Sequence, residues 1–207
     1  MAGPLRYRFG VEKATSLDIA TRRTEGSGFW RALGDHVHAC RIHDSEESLL
    51  ETLTGFVGGA LWAGEAAIVI ANDARLLKLD TRLRQTGLDL LYLRFSERYL
   101  PLSIDALLPQ LLVDGRPDAA RFREAIGEAL ARARRNGEGV RVFGELGEAL
   151  WERGDYAGAV RLEQLWNEAI QGGRFQVLCA YPRASFMKGP VEAATEVRAA
   201  HSAMLAG

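Results

Sequence analysis

Cysteine is scarce: Cys40 and Cys179 are the only two in 207 residues, and they stand far apart. That rules out a disulfide framework, and neither belongs to a C-x-x-C redox pair. The chain does not open with a positively charged, then apolar, then small-residue leader, so the reading is a reduced, cytoplasmic setting. Long apolar runs are missing too. Ala66 to Ala71 is strand-sized and flanked by charge, whereas a membrane span needs roughly 20 apolar residues. Net charge is nearly absent, with 26 basic against 27 acidic side chains, so no overall field draws the chain to nucleic acid or an anionic membrane. Arg132, Arg134 and Arg135 form the densest basic cluster, and they close an expected helix where the dipole favours cations.

A phosphate loop is the next absence. After the first expected strand, a P-loop requires glycines and a lysine, because backbone amides and an ammonium must surround phosphate oxygens. The turn here is His43-Asp44-Ser45-Glu46-Glu47, whose three carboxylates would repel a triphosphate. A dinucleotide G-x-G-x-x-G turn is missing from the same place. Gly55, Gly58 and Gly59 fall within an expected helix, where glycines permit close packing.

What is present is alternation of strands and helices. Val37 to Ile42 reads as the first strand, followed by a D-x-x-E capping box from Asp44 to Glu47 and a helix from Ser45 to Ala63. Ala66 to Ala71, without polar alternation, reads as a strand covered on both faces. Asn72 and Asp73 cap a helix to Thr86, and Leu90 to Phe95 reads as a third strand. Ser103 opens a short helix to Leu112, kinked or split by Pro109. Pro117 is placed as the first residue of a helix running to Asn136. A strand from Val140 to Phe143, helices over Leu146–Glu152 and Tyr156–Gln171, a strand from Phe175 to Tyr181 and a helical tail from Val191 to Leu205 complete the reading. Residues 1–35 read as a partly ordered lead-in, with Phe29 and Trp30 docked on the body, and residues 36–207 as one domain.

This pattern predicts a three-layer α/β fold with a mainly parallel sheet of at least five strands and helices on both faces. Ligands of such sheets bind outside the carboxyl ends of the strands. That directs attention to His43, Asp44, Phe95, Glu145 and Tyr181, each placed at or beside a strand end. Glu145 follows an apolar strand, and a buried carboxylate must be paired, hydrogen-bonded or protonated. It reads either as a polar anchor or general base in a pocket, or as a helix-start acid satisfied by amides of the next turn, the option the dipole favours. Glu148 and Glu152 read as solvated, and Glu163 and Asn167 as an i, i+4 polar pair beside a sheet-covering face. His36, His38 and Cys40 share one strand face and are thinkable metal ligands. Their spacing matches no established zinc pattern, so core histidines and a buried thiol are expected, with no metal. No serine–histidine–acid order or glycosidase-like carboxylate pair supports catalysis.

Several runs taken together resemble a known family: Val142-Phe143-Gly144-Glu145, Leu150-Trp151-Glu152-Arg153-Gly154-Asp155-Tyr156, Leu162-Glu163-Gln164-Leu165-Trp166-Asn167-Glu168 and Leu178-Cys179-Ala180-Tyr181-Pro182. With His38-Ala39-Cys40, Gly64-Glu65, Asp114-Gly115-Arg116-Pro117-Asp118 and His201, they are similar to the MEDS domain, the methanogen/methylotroph sensory domain. The resemblance implies a RecA/KaiC-like sheet with a degenerate P-loop, no cofactor and no catalysis. It implies a sensory role in signal transduction or transcription regulation, with small hydrocarbon derivatives as the proposed ligands. His43 departs from the aromatic that family often carries. The implied partners are a small-molecule ligand and a signalling protein, or a fused effector such as a histidine kinase or DNA-binding domain; a homodimer is compatible with this. The chain is then a stand-alone sensor or the sensory piece of a longer protein. Two other readings compete: an atypical nucleotide-handling enzyme using Glu145, and a ligand-free interaction scaffold.

Overall fold

The computed structural model describes Trp30, Gly34 and residues 36–205. Apart from Trp30 and Gly34, the expected lead-in, Phe29 included, lies outside the described residues. Trp30 is buried and meets Phe56 edge-on, with ring centroids 4.5 Å apart.

The main sheet contains β1 (His38–His43), β2 (Ala66–Ala71), β3 (Tyr99–Ser103), β6 (Val140–Gly144), β7 (Gln176–Pro182) and β8 (Ala203–Leu205). A separate antiparallel ribbon pairs β4 (Leu112–Val113) with β5 (Arg116–Pro117). The spatial order is β3-β2-β6-β7-β1-β8, and the pairings in this sheet are parallel. The helices are α1 (Glu46–Leu53), α2 (Gly59–Trp62), α3 (Asp73–Gln85), α4 (Leu90–Phe95), α5 (Ile104–Leu107), α6 (Ala119–Arg134), α7 (Leu146–Glu152), α8 (Tyr156–Gln171), α9 (Arg183–Phe186) and α10 (Val191–Ala200).

Strand order dictates the layers. From β1 to β2 and on to β3 the chain moves one way across the sheet; from β3 to β6 and β7 it moves back. Because parallel crossovers are right-handed, the two directions deposit helices on opposite faces. The buried clusters agree. Leu49, Leu53, Leu79 and Leu83 of α1 and α3 pack with Val69, Phe143 and Leu178. Phe122, Leu162, Leu165 and Trp166 of α6 and α8 pack with Ile68, Val142 and Val177. Each fully buried side chain of this size contributes roughly 1.5–3 kcal/mol relative to exposure, so the sheet is fastened on both sides. Neighbouring strands β2 and β6 therefore send their chains to opposite faces, and so do β1 and β7. In open α/β sheets it is between the carboxyl ends of such strands that crevices form.

Several elements differ from the sequence expectation. The first helix is capped by Ser45, whose Oγ accepts from Ser48 N at 3.1 Å, while Asp44 turns away to Arg183. It does not run regularly to Ala63, because a π-helical turn over Thr54–Gly58 interrupts it. Gly58 lets Leu83 approach there, as an added Cβ would lie 3.2 Å from its methyl group. Leu90–Phe95 is helix α4, with Asp89 accepting from Leu91 N and Tyr92 N. The third strand is Tyr99–Ser103, at the sheet's edge, where Pro101 costs no central ladder bond. Pro117 belongs to β5, and Asp118 caps α6. The tail helix stops at Ala200, after which Ala203–Leu205 adds a strand beside β1. By contrast, α7 and α8 have the expected bounds, with Gly154 between them at φ +79°.

Candidate functional site

At the β2/β6 crevice, strand β6 delivers Glu145 into a buried position (3% exposed). Its carboxylate does not cap its own helix. Oε2 instead accepts from Asn72 N at 3.1 Å and Asn72 Nδ2 at 3.3 Å, across the crevice, and Oε1 pairs with Arg75. The satisfying groups are thus the turn after β2, not the amides expected from sequence. Asn72 also caps α3, accepting from Arg75 N at 2.9 Å.

Arg75 is the centre of this edge. Its guanidinium meets Glu46 of α1 through Nε and through Nη2, the latter at 2.8 Å, and reaches Glu148 Oε2 from Nη1 at 3.3 Å. One buried cation therefore serves three carboxylates from two helices on opposite faces. Burial alone would push the guanidinium down, yet the hydrogen bonds it donates to Glu46 and the charges of Glu145 and Glu148 hold it well above its ordinary value. The carboxylates divide the benefit unequally. Glu46, partly exposed, is held below the usual range because Arg75 outweighs its desolvation. Burial pushes Glu145 up against Arg75. Glu148 is pushed up to about 8, by burial first, with Arg75 opposing and Glu145 and Glu152 adding repulsion. Glu148 is thus buried and paired, not solvated as the sequence had indicated, because α7 turns it towards the crevice; Glu152 is exposed.

His43 ends β1 beside this network. It is 4% exposed, and its Nδ1 lies 3.1 Å from the Ser45 carbonyl, which can only accept, so Nδ1 carries the proton. Nε2 is buried without a hydrogen-bond partner among the described residues. Burial and then the Arg75 charge push the imidazole below its ordinary value, so at neutral pH Nε2 is a bare acceptor. Asp44 is exposed and bridges β1 to α9 through Arg183, Nε to Oδ1 at 2.5 Å.

The structure does not bring all five predicted residues together. Phe95 lies on α4 and is 89% exposed, since the segment is a helix whose buried side chains are Leu90 and Leu93. Tyr181 points into the opposite layer: it is fully buried, and its hydroxyl donates to Glu163 Oε1. Around Glu163 stand His38, Cys179 and His201, all buried, with one ligand atom from each of the four lying within 4.8 Å of the others. Glu163 does not pair with Asn167, which instead meets His38 and the Ala200 carbonyl. Of the strand-face trio, only His38 enters this group; His36 precedes β1, with Nδ1 on the Ile170 carbonyl, and Cys40 is a buried free thiol.

Sequence reasoning missed Arg75, Glu148 and the gathering around Glu163. One signal was available for Arg75: a cation in the first turn of a helix opposes the dipole and needs compensating carboxylates nearby. Glu148 meets Arg75 from 73 residues away and Cys179 meets His38 from 141, separations whose closure spacing does not encode.

The sheet thus carries helices on both faces and polar groups gathered at its carboxyl edge, where ligands of open α/β sheets bind. The family model described as MEthanogen/methylotroph, DcmR Sensory domain matches residues 37–202, and the chain belongs to this MEDS family of sensory domains. No curated protein matches the chain significantly. Among the described residues, no helix is long and apolar enough to cross a membrane.

Proposed function

We propose that the domain is a non-catalytic sensor of a small neutral molecule carrying a hydrogen-bond donor, received at the carboxyl edge by His43, with Arg75, Glu145 and Asp44 around it. The observation that carries this reading is the buried Nε2 of His43, an acceptor with no partner among the described residues. A buried polar atom without a partner costs roughly 1–3 kcal/mol, and a hydroxyl or amide N–H from a ligand would recover that. Small hydrocarbon derivatives such as short alcohols or amides have the right size and polarity. The turn His43–Glu47 has neither glycine nor lysine, which supports binding without nucleotide chemistry.

Transmission follows from topology. Arg75 joins α1 and α3 on one face to α7 on the other, so a ligand that shifts this edge shifts both layers relative to the sheet. A signalling partner or fused effector would read that shift, in the soluble, cytoplasmic setting expected from sequence. Thermal denaturation of the full chain against a panel of short-chain alcohols, glycols and amides tests the reading. At least one compound should raise Tm in the wild type and not in His43→Phe, which keeps the ring volume and removes the acceptor. An equal response of both proteins, or none in either, would overturn the assignment.

A further inference from the structure

The geometry points to a second site, independent of the first: a transition-metal site for one Zn2+ or a similar borderline divalent cation, formed by His38 Nε2, His201 Nε2, Glu163 Oε2 and Cys179 Sγ. It lies on the other side of the sheet from Arg75 and draws on four elements, β1, α8, β7 and the turn after α10.

Proton positions make the case. Asn167 Nδ2 donates to the Ala200 carbonyl at 2.7 Å, which leaves Oδ1 facing His38 Nδ1 at 2.9 Å; the Ala200 oxygen is also 3.2 Å from that nitrogen. Both neighbours of His38 Nδ1 are acceptors, so Nδ1 holds the proton. His201 Nδ1 faces the Val197 carbonyl at 2.6 Å and is protonated for the same reason. Each ring therefore directs Nε2 at Glu163, at 3.2 Å from His38 and 3.4 Å from His201. Glu163 Oε1 is already occupied by the Tyr181 hydroxyl, which reserves Oε2 for the two rings. Cys179 Sγ completes the group 3.4 Å from His38 Nε2. Two imidazole nitrogens, a carboxylate oxygen and a sulfur thus converge where a cation must stand between them, either a proton on a ring or a metal.

Spacing suits a metal after a small closure. Tetrahedral zinc with bonds of about 2.0–2.3 Å sets its ligand atoms roughly 3.3–3.8 Å apart; the three separations above approach that range, and all four ligand atoms lie within 4.8 Å of one another. Imidazole and thiolate ligands select zinc, cobalt or iron over magnesium and calcium, which prefer all-oxygen shells. Outer hydrogen bonds fixing the tautomer of each ligating histidine are the usual support of such sites, and both rings have them. A cleft of about 380 Å³, lined in part by His36, His38, Asn167, Ala200 and His201, gives a route in from solvent. Occupancy would fasten the segment after α10, and with it β8, onto β1.

Cobalt titration of the full chain, purified in chelator and then dialysed free of it, tests the proposal. The expected result is one Co2+ per chain, with intense visible d–d absorption, a near-ultraviolet thiolate-to-cobalt band and displacement by Zn2+. Cys179→Ser should abolish the near-ultraviolet band. His201→Gln should weaken binding by roughly 10–100-fold or more. His36→Gln, outside the ligand set, should bind as wild type. If a variant fails to fold, the wild-type spectrum decides alone through the presence or absence of the thiolate band. Absence of binding by a folded wild type, with NMR showing a histidine Nε2 proton held against Glu163, would establish a proton-only site and overturn the proposal. Loss of binding in His36→Gln equal to that in His201→Gln would overturn this ligand set.

Discussion

Gly147 sits on the first turn of α7 directly over the hydrogen bond between Tyr181 and Glu163, so close that an added Cβ would collide with both oxygens. The glycine is there for approach, not for backbone freedom. Gly147→Ala should destabilise the fold by about 1–3 kcal/mol through overpacking. In Tyr181→Phe, where one of the two obstructing oxygens is gone, the same change should cost less. Urea denaturation of the four proteins in this cycle measures the difference, and purely additive costs would count against a clash at that oxygen.

Tyr181 itself is predicted to be a packing and hydrogen-bonding residue rather than a ligand contact. Burial and the Glu163 charge push its phenol well above its ordinary value, so it stays a neutral donor. Tyr181→Phe leaves Glu163 Oε1 without its donor, at a cost of about 1–3 kcal/mol. The response to small molecules at the opposite face should persist. A variant of wild-type stability, or one that loses the response while remaining folded, would contradict this placement.

Phe95 provides a complementary check, and its case shows where sequence patterning was ambiguous. Leu90-Leu91-Tyr92-Leu93-Arg94-Phe95 is a short apolar run of strand-like composition. The structure buries only Leu90 and Leu93, a helical i, i+3 pair, under the cap from Asp89. The strand that does exist contains Pro101, which argues against a central strand but is tolerated at an edge. Phe95→Ser should therefore change stability by less than about 0.5 kcal/mol and leave any ligand response intact, as thermal denaturation would show. The layered α/β frame was legible because fully apolar strands and capped helices carry local signals. The pairing of α7 and α8 around Gly154 was legible for the same reason. The sites were only half legible: Glu145 announces itself at a strand end, but Arg75, Glu163 and His201 acquire meaning only when distant segments meet. Strand β8 was hidden because three residues are too few to show a period.

Glu148 makes stability depend on pH in an unusual direction for an acid. Its folded-state value of about 8 lies above the ordinary 4.5 of the unfolded chain. Between these values the folded state binds more protons than the unfolded one, so stability is highest below about pH 4.5 as far as this group is concerned and falls as pH rises through 8. Glu148→Gln keeps the shape and removes the titration. It should be more stable than wild type by on the order of 2–4 kcal/mol at pH 8 and show little difference near pH 4.5. Denaturant unfolding at the two pH values decides it. A variant that is less stable at pH 8 would mean that Arg75 keeps Glu148 charged.

Arg75→Met tests the same network from the other side. Removing the guanidinium leaves Glu145 and Glu148 buried and Glu46 partly buried without their shared cation. Breaking a buried ion pair by deleting one partner costs about 3–5 kcal/mol. Here the loss should depend on protonation, because the remaining carboxylates can neutralise themselves only by taking up protons. The destabilisation should be greatest near pH 8 and shrink as pH falls towards 5, whereas a deficit caused by lost packing of the arginine stem would be the same at every pH. In the double variant Arg75→Met with Glu148→Gln, one of the stranded charges is absent, and part of the high-pH loss should return. Unfolding curves of the single and double variants across that range separate the two causes. A pH-independent deficit with no rescue would show that Arg75 holds this edge by packing and not by charge.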